Sequence, residues 1–165
     1  MISVANRSIE RVLQILTAPN GVNTNVAALA QLENTALTPI PAKSVFTQNV
    51  ASEVAEKAGD IKYTAIYVYC DKVSNSQREK FRAFSGSLQM AIEVRVSLDR
   101  IEGIEQQSQL YTGAVTQTLS QNLGDWGKGL FYAGAYDVSF GPVKHGGRNF
   151  IKTAKISFQV DASVD

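Results

Sequence analysis

The chain has 165 residues, 44% of them hydrophobic and 19% charged, with a formal net charge of +1. That length suffices for one domain with its own core, and the near-neutral balance supplies no overall field to draw the chain to nucleic acid or an anionic membrane. A single cysteine, Cys70, excludes an internal disulfide and fits a reducing compartment; the N-terminus lacks the charged-then-apolar order of a signal peptide, and no apolar run reaches the ~20 residues that span a bilayer.

In chain order, Ile9, Val12, Leu13 and Leu16 recur at helical spacing, with Asn6 or Ser8 as the cap and Pro19-Asn20-Gly21 as the stop. A second helix is predicted from Asn23 or Asn25, with Val26, Leu29, Leu32 and Leu37 on its apolar side and three alanines (Ala27, Ala28, Ala30) raising its propensity. Pro39-Ile40-Pro41 forces an extended turn. Ser44 to Val50 reads as a strand, and Ala51 to Gly59 as a loop or a short helix.

Stronger strand signals follow. Tyr63 to Cys70 is aromatic and β-branched, with Ile66, Val68 and Cys70 on one face and Tyr63, Tyr67 and Tyr69 on the other. Both faces are apolar, which predicts cover on both. Leu88 to Leu98 is the clearest strand: Leu88, Met90, Ile92, Val94, Val96 and Leu98 alternate with Gln89, Ala91, Glu93, Arg95 and Ser97. A period of two turns one set to a core and the other to water or a polar partner. Between these strands, Asp71 to Ser87 is long for a simple hairpin and reads as a projecting arm.

Ile104 to Leu123 reads as the longest helix, with Tyr111, Val115, Thr118, Leu119 and Asn122 along one stripe and Gly124 as its stop. Leu130 to Phe140 and Phe150 to Val160 then alternate as two strands around the Gly146-Gly147 turn. This order predicts a single α+β domain over residues 1–165, a mostly antiparallel four-stranded sheet with helices packed on one face.

Catalytic constellations do not assemble from these residues. The lone histidine, His145, stands in a glycine-flanked loop with no orienting partner in the sequence pattern, and one His with one Cys makes no zinc site. Gly124-Asp125-Trp126-Gly127-Lys128-Gly129 has glycines and a lysine but not Walker spacing, so it reads as a helix stop followed by a turn. Trp126 is expected to pack on the sheet or, if exposed, to mark an interface. The reading is therefore a non-enzymatic protein without cofactor or metal.

Two basic groups stand out. Arg78, Lys80, Phe81, Arg82 and Phe84 lie on the arm, and Lys144, Arg148, Lys152 and Lys155 lie near the last hairpin. Basic residues with aromatics suit nucleic acid, and Tyr63, Tyr67 and Tyr69 offer a stacking platform. The simpler reading is a charged hairpin tip, a charged strand face and a covered sheet face.

Several stretches carry a family resemblance. They are Phe81-Arg82-Ala83-Phe84-Ser85-Gly86 leading into Ala91 to Ser97, the helix Tyr111 to Leu123, and Gly134 to Pro142 followed by Phe150 to Val160. Over about Tyr63 to Val160, and more loosely over the first helix, the chain resembles the tail terminator (tail completion) proteins of long-tailed bacteriophages. The resemblance implies a structural protein of the virion tail, assembled in the host cytoplasm. It would form a ring, usually a hexamer, that caps the tail tube and stops its polymerisation. Its partners would be further copies of itself, the tail tube protein and a head connector or neck protein, with DNA passing through unbound. The alternatives are another neck or tail-tube-associated protein, or a nucleic-acid-binding module. On the ring reading, the arm residues Arg78, Lys80, Phe81, Arg82 and Phe84 form the candidate interface, since two exposed phenylalanines need a cover.

Overall fold

The computed structural model describes residues 3–57 and 61–165. In chain order the elements are helices α1 (Val4–Thr17) and α2 (Val22–Leu32), strand β1 (Val45–Phe46) and helix α3 (Ser52–Lys57). Strands β2 (Ala65–Ser74) and β3 (Phe84–Leu98) precede helix α4 (Ile104–Ser120). The chain ends in β4 (Gly124–Gly127), β5 (Leu130–Tyr132), β6 (Tyr136–Phe140), β7 (Lys144–Gly146) and β8 (Asn149–Val164).

The first helix starts earlier than predicted. Ser3, and not Asn6 or Ser8, caps it: the Ser3 hydroxyl accepts from the Asn6 N–H at 3.1 Å. Asn23 is likewise inside α2 rather than at its start, and its side chain ties down Ile40, donating to its carbonyl at 3.0 Å and accepting from its N–H at 2.7 Å. Leu37 lies beyond α2, and Leu32 is exposed. The long helix ends at Ser120, three residues before its predicted end.

The sheet corrects the four-stranded antiparallel expectation. Among the described residues it has eight strands in the order β1-β2-β3-β8-β5-β4, with β6 and β7 also paired to β8. It is mixed, because β1 runs parallel to β2. The predicted Ser44–Val50 strand shrinks to Val45–Phe46. Leu130–Phe140 breaks into β5 and β6, which lie end to end along the outer edge of β8. Gly124–Gly127, predicted as a turn, is a strand of its own paired with β5.

Helices α1 and α4 lie over the face carrying Ile66, Val68, Met90, Ile92, Val94, Ile156 and Phe158, and α2 packs on α4. Met90, Ile92, Val94 and Val96 are all fully buried there, as the alternation predicted. The opposite face is not simply polar. Ala55 of α3, with Phe46, Val50, Ile61 and Tyr63, packs over Ala65 and Tyr67, so one short helix lies on the other side of the sheet. The end of the Ala51–Gly59 segment, from residue 58, lies outside the described residues.

Candidate assembly surfaces

The predicted arm is sheet at both ends and loop between them. Ser74 pairs with Ser87 and Val73 with Leu88, so β2 and β3 consume both ends of Asp71–Ser87 and leave a loop over residues 75–83. Beyond β2, the start of β3 continues along β8, with Phe84 opposite Val164. Gly86 permits this closure, because a Cβ there would collide with the Ser74 carbonyl.

The five arm residues part company in the fold. Phe84 is 1% exposed and belongs to the main core, which corrects its assignment as an interface residue. Phe81 is 94% exposed at the hairpin tip. Arg78 and Lys80 are exposed beside it, and Arg78 and Phe81 both take left-handed backbone angles (φ 49° and 66°) that turn the chain around the tip. Side chains fix the base of the loop. Asn75 accepts from the Ser85 N–H at 3.0 Å, the Ser85 hydroxyl donates to Gln77 at 3.0 Å, and the Gln77 N–H donates to the Ser85 carbonyl at 3.1 Å. Arg82 turns away from the tip to Asp165 at 2.6 Å and Glu79 at 3.9 Å. It borders an open cleft of about 590 Å³ with Arg7, Lys128 and Asp165.

The second basic group is dispersed and neutralised. Lys155 pairs with Asp71 at 2.9 Å, and Lys144 pairs with Glu53 at 3.0 Å. The Glu53 backbone N–H, and after it Lys144, hold that carboxyl below its ordinary pKa. Lys152 is buried on the helix side, donating to Glu105 at 2.9 Å and to the Gly141 carbonyl at 2.8 Å. Arg148, the fourth member of this group, is exposed and in no salt bridge among the described residues.

The tyrosine face is covered. Tyr67 and Tyr69 are buried, and Phe46 stacks on Tyr67 with ring centroids 4.9 Å apart. The sequence offered no sign of Arg95's role: it is 1% exposed, with its guanidinium carbon 3.9 Å from the Tyr67 ring centroid. It bonds the Val50 carbonyl and pairs with Glu93 at 3.5 Å, and Glu93 accepts from the Tyr69 hydroxyl at 2.8 Å. Burial pushes the Tyr63 phenol up to about 12, helped by the Glu56 carboxylate. Burial and the Glu93 carboxylate hold Tyr69 higher still, and burial raises Tyr67 against the pull of Arg95. Tyr67 and Tyr69, buried in this way, offer no open ring face to a base, while Tyr63 is partly buried at the margin of the same cluster.

His145 is exposed on β7, edge-on to Phe150 at 5.2 Å, and lines a cleft of about 500 Å³ with Glu53, Glu56 and Lys57. Among the described residues no three His, Cys, Asp or Glu side chains gather to hold a metal ion, and no helix is long and apolar enough to cross a membrane. Burial raises the Cys70 thiol on β2. Trp126 packs inward, its ring 5.3 Å from Tyr132 and its indole N–H donating to the Asn122 carbonyl at 2.7 Å.

No protein-family model matches the chain, and no curated protein matches it. Among solved structures, a chain of the virion of a native gene transfer agent particle is similar in fold. The TM-score is 0.56 at 15% identity, over 98% of this chain and 99% of that one. The two chains therefore share an architecture from end to end.

Proposed function

We propose that this chain is a structural subunit of a phage-type virion, and specifically a tail terminator. It closes into a ring on the end of the tail tube, stops tube growth and presents a surface to the head connector. The observation that carries this reading is the end-to-end likeness in fold to a virion chain. The resemblance of the second half of the sequence to tail terminators points the same way.

The surfaces suit the role. Phe81 offers an apolar anchor on a hairpin whose base is fixed by hydrogen bonds, and Arg78 and Lys80 flank it with charge. A rigid exposed aromatic beside arginine is the composition of an interface hot spot. Lys144, Lys152 and Lys155 are each paired with a carboxylate, so these three form no basic stripe to retard passing DNA. The second reading is another neck or tail-tube-associated protein of the same virion, which shares the likeness equally.

Adding the purified chain to tail tubes grown without a terminator tests the proposal. Negative-stain images are expected to show one ring on one end of each tube and tubes that no longer lengthen. Decoration along the tube wall would support the tube-associated reading, and tubes that stay bare and keep growing would overturn both.

A further inference from the structure

Strand β6 is an edge without the usual protection. Among the described residues it pairs only with β8, so alternate residues turn their N–H and C=O groups outward to no strand. Its sequence, Tyr136-Asp137-Val138-Ser139-Phe140, contains no lysine, proline or bulge to discourage a further strand. Tyr136 and Phe140 lie on the helix side of the sheet, opposite Phe158 and Ala154, yet are 41% and 47% exposed because α4 sits over β3 and β8.

The opposite margin of the sheet is also open. β1 covers β2 only at Ile66 and Tyr67, leaving the outer edge of Val68–Ser74 without a strand partner among the described residues. Cys70 and Val73 face the helix side there, opposite Met90 and Leu88, and both are partly exposed. Lys72 faces the other side, opposite Gln89, next to the bulge at Asp71.

We infer that β6 of one copy pairs antiparallel with the outer edge of β2 in the next copy, joining the sheets head to tail around the assembly. This rests on the ring reading above and names its contact. Three observations select this occupant. Strand direction alternates along β2, β3, β8 and β6, so a β2 edge following β6 continues an antiparallel sheet. Placing Lys72 against Asp137, both on the face away from α1 and α4, brings Val73 beside Tyr136 and Cys70 towards Val138 on the helix face. These three pairs are complementary: apolar with apolar, and cation with anion. The lysine and bulge that would repel an ordinary strand from β2 accept one carrying an acid at that position. A head-to-tail contact also uses two different patches, which is what a closed ring requires.

The test is a charge swap. Asp137→Lys gives a subunit positive at both edges, and Lys72→Asp gives one negative at both. Each alone is expected to associate about tenfold more weakly per contact. The double variant, and a one-to-one mixture of the two single variants, should recover ring mass by light scattering and capping of tail tubes. Both positions are exposed, so circular dichroism should show an unchanged fold in every variant. Single variants that form rings as the wild type does would overturn the edge pairing and leave the ring standing. A two-fold dimer indifferent to Lys72→Asp would overturn the edge pairing and the ring with it. A wild type that stays monomeric even on tubes would overturn both.

Discussion

Phe81 and Phe84 stand three residues apart in the sequence and in opposite environments, so truncating each gives a sharp comparison. Phe84→Ala removes a ring that is 1% exposed and lies in the main core. Truncating a buried phenylalanine costs about 3–5 kcal/mol. Area bookkeeping agrees: ~150–200 Å² at ~25 cal/mol per Å² is about 4–5 kcal/mol, an upper figure because the denatured chain already hides part of that surface. With a urea slope of about 2 kcal/mol per M, the unfolding midpoint should fall by ~1.5–2.5 M. Phe81→Ala removes a ring that is 94% exposed, so the isolated subunit should change by no more than about 0.5 kcal/mol. Its effect is expected in assembly, where loss of the anchor lowers ring formation and tube capping. Equilibrium urea unfolding followed by fluorescence reads the first quantity, and light scattering with negative-stain images reads the second. A Phe84→Ala shift below about 1 kcal/mol, or a Phe81→Ala shift above it, would refute the separation of core from tip.

Two further predictions concern the covered tyrosine face. Arg95→Ala should cost about 2–4 kcal/mol by denaturant unfolding, because it deletes the stack on Tyr67, the bond to the Val50 carbonyl and the partner of Glu93; Arg95→Met, which refills the volume, should cost less than half as much. Tyr63, Tyr67, Tyr69 and Tyr132 all have phenols raised above their ordinary value, chiefly by burial. A raised folded value stabilises the neutral form, so that stability is complete below about pH 10 and drains away as the pH climbs through the folded values. Ultraviolet titration should therefore show these phenols ionising only together with alkaline unfolding, while a reversible native titration near pH 10 by all four would contradict their burial.

The alternation of Leu88 to Leu98 determined one core face outright, since a period of two leaves a strand only one way to bury its large side chains. Helical spacing and the Pro-Asn-Gly stop likewise placed α1 and separated it from α2. Gly86 and the polar stretches of Asp71–Ser74 and Ser85–Ser87 did not declare themselves as strand, because β-propensity expresses pairing with neighbours more than any preference of the residues themselves. Gly124–Gly127 is a strand only because β5 runs beside it. Arg95 looked like a solvent-facing residue on the polar side of its strand; Phe46, Val50 and Ala55, some forty to fifty residues earlier in the chain, cover that side and bury it. Phe81 and Phe84 show the same division. Their shared aromatic character was plain in the sequence, but which ring entered the core depended on where β3 began to pair with β8, and that was decided by a contact with Val164 at the far end of the chain.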